Sequence, residues 1–496
     1  MDGDGLLAQG DPTAADGRFA QAADSASRRL ASIPDEARVR VAKKTSNLFR
    51  GRSAGAHELD LSEFSSVYSI DSENRTATVG GLTTYEDLVA ATLPHGLVPL
   101  CVPQLRTITL GGAVTGLGIE AASFRNGCPH ESVLSMDVLT GDGTIVHSRP
   151  DGRYSDLFHG FPNSYGTLGY ALRLVIELEP APGFVSLRHV PFGSAADVAA
   201  AIAAIARDGL WDGERVDYVD GTVFAPDETY LTLGQYADVA NNPVSDYRGM
   251  RIYYKSIQQR SSDILTVNDF LWRWDTDWFW CSRPFGVQNP VIRRLWPKSR
   301  LRSDVYWRIV AWDRRFGLSA RADRLRGRLP LLPRQRGGVG GPLPLLPAGR
   351  GVGGPPAREP VVQDVEVPVD ALPEFMDFFH REVGITPVWL CPLRQRDPAA
   401  RWPLYQFDPD TTYVNVGFWS TVPVPEGVEA ESGTINRRIE AEVTRLGGRK
   451  SLYSTSFYPR DEFYRIYGKD QYWNLKHKYD PGGRFAELYD KCVGGA

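Results

Sequence analysis

Thr109-Leu110-Gly111-Gly112-Ala113-Val114-Thr115-Gly116-Leu117-Gly118-Ile119-Glu120 decides how this chain is read. Gly111, Gly112, Ala113, Gly116 and Gly118 leave the backbone unencumbered, so it can approach a ligand closely and offer N–H groups to phosphate oxygens. The run is not a dinucleotide fingerprint, because no GxGxxG follows a first strand and opens a helix, and it is not a Walker loop, because no Gly-Lys-Ser/Thr is present. Its meaning comes from its neighbours. Upstream, Thr45, Ser46, Asn47, Leu48, Phe49 and Arg50 form a small polar segment with a cation that can face a pyrophosphate. Downstream, Asn163-Ser164-Tyr165-Gly166-Thr167-Leu168-Gly169-Tyr170 is a third turn leading into a strand. Three separated loops between short strands fit a large ligand threaded through an α+β domain.

The flanking pattern alternates short strands and helices. An amphipathic helix is expected over 16–32 and a strand over Val39–Ala42. Further strands are expected at Thr76–Val79, Val133–Leu139, Ile145–His147 and Leu172–Leu178. Tyr85–Leu93 reads as a helix stopped by Pro94 and Gly96, and Asp142-Gly143 suits the positive dihedrals of a tight hairpin. Beyond them come a helix at Ala195–Asp208, an aromatic block from Trp272 to Trp280, strands at Val361–Val367 and Thr412–Phe418, and a helix at Ala371–Val383. The last quarter reads as helical. Two near-copies of a Pro/Gly-rich stretch occupy the region 328–358, which is expected to be a flexible surface insertion.

A chain of 496 residues calls for two or three packed units. A formal net charge of −4 argues against a nucleic-acid protein. The five cysteines, at 101, 128, 281, 391 and 492, have no CxxC or zinc spacing, and no metal site is expected. No signal peptide and no apolar run long enough to span a bilayer is seen, so the expectation is a cytoplasmic protein with at most peripheral membrane contact. The arginines between Arg293 and Arg336 read as a solvated face able to attract acidic lipid head groups.

The ordered set of motifs resembles the flavoproteins with a split FAD-binding domain of the vanillyl-alcohol-oxidase and p-cresol-methylhydroxylase (PCMH) type. It comprises the polar segment at 45–50, a strand at Leu59-Asp60-Leu61-Ser62, Val79-Gly80-Gly81, the glycine run, the Gly141-Asp142-Gly143 hairpin and Gly166-Thr167-Leu168-Gly169. Within that class the chain is similar to the delta-24-sterol reductase (Diminuto) group. Asp156-Leu157-Phe158, Arg283–Pro290, Val362–Pro368, Thr386–Pro392 and Phe485–Lys491 carry that likeness. The resemblance implies an α+β fold: a split two-subdomain FAD-binding domain (37–182) after an N-terminal tail and helix (1–36), then an α+β substrate domain (183–460) and a helical C-terminal segment (461–496).

For chemistry, the resemblance implies non-covalent FAD held by Thr45–Arg50, Thr109, Gly111, Gly112, Thr115, Gly116, Gly118, Ile119, Thr167, Leu168 and Gly169. It implies NADPH as electron donor and a hydrophobic sterol- or isoprenoid-like alkene as substrate. His57, in a loop superficially like the covalent-attachment loop of the wider class, reads as a surface or strand-edge residue. Reducing an isolated C=C bond needs a hydride from the flavin and a proton from an acid. Glu120, Tyr413 and Tyr472 are the candidate acids, with Asp364 as a further possibility, while Cys391 reads as an inert buried thiol. Two alternatives stay open at this point: an FAD-linked oxidase or dehydrogenase of an alcohol, using oxygen or a carrier, and a catalytically silent binding protein on the same scaffold.

Overall fold

A computed structural model describes residues 12–43, 49–50, 55–316, 358–424 and 433–493. The chain is an α+β protein built on two sheets. A helix, Pro12–Ala31, opens it. It packs Phe19, Ala23, Ala26 and Leu30 into a small core with Leu59, Leu61, Phe64 and Phe485, which ties both ends of the chain together. Strands β1 (Val39–Val41) and β2 (His57–Leu59) pair in parallel. The first large sheet comprises β3 (Val67–Asp71), β4 (Thr76–Gly80), β5 (Leu97–Pro99), β6 (Val133–Leu139), β7 (Ile145–Ser148) and β8 (Tyr170–Pro180). Its order is β3-β4-β8-β6-β7, with β5 also on β8. Long β8 alternates buried and half-buried residues along its length, as a strand with one face on a core should.

The second sheet draws on β9 (Phe184–Phe192), β12 (Tyr218–Ala225), β13 (Glu228–Ala237) and β14 (Ser262–Thr266), and on β15 (Arg358–Pro368), β16 (Val388–Leu393), β17 (Tyr413–Pro423) and β18 (Arg449–Lys450). Its order is β14-β9-β13-β12-β16-β17-β15-β18, and the short hairpin β10 (Leu210–Trp211) and β11 (Glu214–Arg215) stands apart. Helices Ala195–Asp208, Leu372–Glu382 and Thr434–Arg445 cover one face, burying Ile202, Phe375, Phe379 and Ile439 against Val365, Val416 and Phe418. The opposite face looks toward the first sheet.

Several expectations need correction. The strand expected over Leu59–Ser62 ends at Leu59: the Asp60 carboxylate accepts the Ser62 N–H (2.9 Å) and turns the chain into a short helical turn at Ser62–Phe64. The glycine run is not an open loop. Thr109 caps a helix over Leu110–Gly116 by accepting the Gly112 N–H, and Leu117 ends it in the left-handed region at φ 54°. In the β6–β7 hairpin only Gly143 has a positive φ, with Asp142 accepting the Thr144 N–H instead. The Pro/Gly-rich insertion lies outside the described residues up to 357.

Candidate functional site

The two sheets and the C-terminal segment enclose a cavity of about 670 Å³, within the range of small-molecule and cofactor sites. One wall is the glycine helix with the strand ends beneath it. There glycine is required by close approach, not by free donors: a Cβ on Gly81 would sit 1.9 Å from the Ala171 carbonyl oxygen, and one on Gly111 2.8 Å from the Gly81 carbonyl oxygen. The N–H groups of Gly111 and Gly112 are already given to Gly81 O (2.8 Å) and Thr109 Oγ1 (3.2 Å). The expectation that both glycines offer their N–H groups to a phosphate is therefore not met.

Cations supply the attraction for an anion instead. Arg38, Arg40, Lys43, Arg50 and Lys491 line the cavity, against the carboxylates Asp364 and Asp490. Lys43 Nζ donates to Thr109 Oγ1 (3.2 Å), at the start of the glycine helix. Arg50 stacks on the Tyr165 ring, 4.9 Å from its centroid, and donates to the Lys491 carbonyl. Lys491 Nζ in turn holds the Tyr165 carbonyl (2.5 Å). Burial and the neighbouring Arg50 push the Lys491 ammonium down to about 7. An anionic ligand here would restore its charge.

The opposite wall is aromatic. Trp278, Phe279 and Phe285 come from the aromatic block and its continuation, Trp389 and Trp419 from the second sheet. Trp272 and Trp274 of the same block are core residues, the Trp274 Nε1 donating to Asp220 (2.8 Å). Into this apolar wall project two polar atoms without a hydrogen-bond partner among the described residues, Asp364 Oδ1 and Trp389 Nε1. Burial pushes the Asp364 carboxyl up to about 7, against the opposing pull of Asn415, Lys450 and Tyr453. The Tyr453 oxygen accepts from Trp419 Nε1 (2.7 Å), which leaves its own proton for Asp364. Beside them, Ser451 donates to Glu366 (2.9 Å), whose carboxyl burial raises to about 8.

Of the residues expected at the site, Phe49, Arg50, Thr109, Gly111, Gly112, Thr115, Gly116, Gly118, Ile119 and Gly169 line this one cavity. Thr45, Ser46, Asn47 and Leu48 lie outside the described residues. Thr167 and Leu168 are fully buried behind the wall. The Thr167 hydroxyl is spent on Ser164 O (2.8 Å) and its carbonyl on Lys476 Nζ (2.8 Å), so Gly166 reaches the cavity in their place, beside the expected Gly169. His57 is exposed at the start of β2 and absent from the lining.

The three candidate acids are not brought to the cavity either. Glu120 is buried against Arg273 (3.6 Å). Tyr413 packs with Cys128 and Leu393, its hydroxyl accepting the Asp408 N–H (3.2 Å). Tyr472 stacks on Tyr464 and accepts the Leu488 N–H (2.9 Å). Cys391 is fully buried, its thiol pushed well up by desolvation. Sequence reading missed Tyr453, Trp419 and Lys491. Asp364, named from the sequence as a further possibility, does line the cavity: the alternation Gln363-Asp364-Val365-Glu366 puts both acids on one face of β15 and Val365 on the other. No group of His, Cys, Asp and Glu suited to a metal occurs among the described residues.

A cavity of cofactor size, with a cationic arm and an aromatic arm meeting along a glycine wall, suits a flavin dinucleotide. Comparison with known proteins agrees: residues 29–149 match the model of an FAD binding domain. The chain is an FAD-dependent oxidoreductase with a PCMH-type FAD-binding domain. Along most of its length it is similar to delta(24)-sterol reductases. It is 26% identical to the one from Pisum sativum over 462 residues, 88% of this chain and 76% of that protein. It is 23% identical to the one from Homo sapiens, over 90% of this chain and 80% of that protein. A decaprenylphosphoryl-beta-D-ribose oxidase from Mycolicibacterium smegmatis is 34% identical over 130 residues, 26% of this chain and 28% of that protein.

Proposed function

We propose that this protein uses FAD to reduce a carbon–carbon double bond of a hydrophobic sterol- or isoprenoid-like substrate, with NADPH as electron donor. The observation that carries the reading is the Asp364 carboxyl. It is an acid whose carboxyl burial raises to about 7, set in an aromatic wall opposite the glycine helix and the cationic arm. In this reading the segment 37–182 holds the flavin, the segment 183–460 forms the substrate chamber, and the chain's end from 461 contributes Lys491. FAD, when bound, supplies hydride chemistry. Arg50, Lys491 and Lys43 would hold its negatively charged portions, and the wall at Thr109–Ile119 would lie along its body.

The remaining roles belong to the protein. Trp278, Phe279, Phe285, Trp389 and Trp419 exclude water and accept an apolar skeleton without a competing hydrogen-bond demand. Trp389 Nε1 offers one donor for a lone polar group on the substrate. Asp364 holds the proton that the second alkene carbon requires, and Tyr453 steadies it. The test is incubation with NADPH and a sterol bearing a Δ24 double bond: the product should gain two hydrogens by mass, and unchanged sterol would refute the substrate class. A second reading, oxidation of an alcohol, is favoured by the likeness to the oxidase across part of the chain. With a carboxyl near 7, Asp364 could then serve as base.

A further inference from the structure

From Trp278 to Ser303 the chain carries Arg283, Arg293, Arg294, Lys298, Arg300 and Arg302 and no acidic residue. Two of these cations are structural. Arg293, expected to be solvated, is buried: it pairs with Asp277 (2.8 Å) and donates to the Gly249 carbonyl (2.7 Å). Arg302 pairs with Glu86. Both ties anchor the segment firmly, and Asn289 caps the Pro290–Leu295 helix by accepting the Val291 N–H (2.9 Å). What this fixed platform turns outward is apolar and basic together. Leu295 is 80% exposed, Val291 69%, Met250 53% and Ile292 41%, and Arg294, Lys298 and Arg300 are exposed beside them.

The platform also connects to the cavity. Trp296, next to Leu295, lies 6.4 Å from the Tyr306 ring, which stacks at 5.2 Å on Phe285, a lining residue. Two aromatic contacts separate the outer patch from the inner chamber.

We propose that this patch docks the protein on an anionic lipid surface, Val291, Ile292 and Leu295 inserting among the acyl chains while Arg294, Lys298 and Arg300 meet the head groups. The combination of large apolar side chains with Arg294 and Arg300, and with Lys298 facing Asp246 at its edge, is the chemistry such an interface selects. A second copy of the chain fits less well, because a two-fold contact through this patch would set its cations against their own symmetry mates. The proposal does not depend on the reaction, since it is tested without turnover.

The experiment is co-sedimentation of the full-length flavoprotein with phosphatidylcholine vesicles, with and without phosphatidylglycerol. Binding should be at least roughly tenfold tighter to the anionic vesicles and weaken with salt. It should fall for V291S/I292S/L295S and, separately, for R294E/K298E/R300E. Retained flavin absorbance and an unchanged melting temperature would show both variants to be folded. No preference for anionic vesicles, or binding that neither variant reduces, would overturn the proposal. So would gel filtration showing a dimer that the apolar variant dissociates.

Discussion

Asp364 on β15 lies directly across from Gly417 on β17, and a Cβ on that glycine would sit 2.3 Å from the Asp364 Oδ1. On its other side Gly417 pairs with Trp389 of β16, so the glycine is a gap in the sheet face flanked by two polar atoms that lack a partner among the described residues, Asp364 Oδ1 and Trp389 Nε1. The ring of Trp419 closes over the same gap, 2.9 Å from where that Cβ would be. Gly417→Ala must therefore displace the carboxyl or the indole. Turnover should fall by about tenfold or more, some 1.4 kcal/mol of barrier, while bound flavin, measured by absorbance, stays near that of the unaltered protein. Unchanged turnover would deny the gap its role.

Asp364→Asn tests the proposed role of this carboxyl as proton donor. The carboxyl, raised to about 7 by burial, is protonated below that pH and loses its proton above it. Alkene reduction should accordingly be fastest below about 7 and decline as pH rises through it. The variant should lose roughly 10²–10⁴-fold in kcat together with this alkaline limb. A variant that keeps the limb would place the acid elsewhere.

Lys491 gives the cofactor side a pH signature. Its ammonium is pushed down to about 7, and only the charged form attracts an anion. FAD affinity should be strongest below about 7 and weaken as pH rises through it. Lys491→Met should bind more weakly with a flatter profile. Fluorescence titration of flavin-stripped protein across pH reads both.

Glu120, by contrast, bears on stability. Its folded carboxyl lies at about 8, against an ordinary value of 4.5, because desolvation outweighs Arg273. Folding therefore takes up a proton: the group's contribution is complete below the unfolded value and is lost as pH rises through about 8. Glu120→Gln should flatten the alkaline decline in melting temperature and leave kcat within about twofold of the original, since a residue away from the reacting atoms gives up none of the tenfold per 1.36 kcal/mol of barrier. A large fall in kcat would return Glu120 to the list of acids.

Gly81→Ala probes the glycine wall itself. With the Ala171 carbonyl oxygen 1.9 Å from the new Cβ, backbone must move, at a cost of about 1–3 kcal/mol or more. Thermal melts should show that loss along with weakened flavin retention.

What was legible in the sequence was local. The alternating run of β4, the Pro94–Gly96 stop after Tyr85–Thr92 and the Ala-rich helix at Ala195–Asp208 were all readable, because propensity and pattern agree there. The order of the flavin-domain motifs pointed to the glycine wall, and ten of the residues named from it share one cavity. The aromatic wall with Asp364 was hidden because it is assembled across strands. Trp389, Gly417 and Asp364 are neighbours only through the β16-β17-β15 pairing, and nothing local marks Gly417 as the space that Asp364 needs. The glycine run misled in one respect. Small residues signal close approach of something, and here part of that something is the protein's own Gly81 carbonyl.

The most direct test of the account is anaerobic mixing of the flavoprotein with NADPH, followed by an isoprenoid or sterol alkene, with flavin absorbance as the readout. NADPH should bleach the flavin band and the alkene should restore it. A band that NADPH leaves untouched but an alcohol bleaches would contradict the reductase reading.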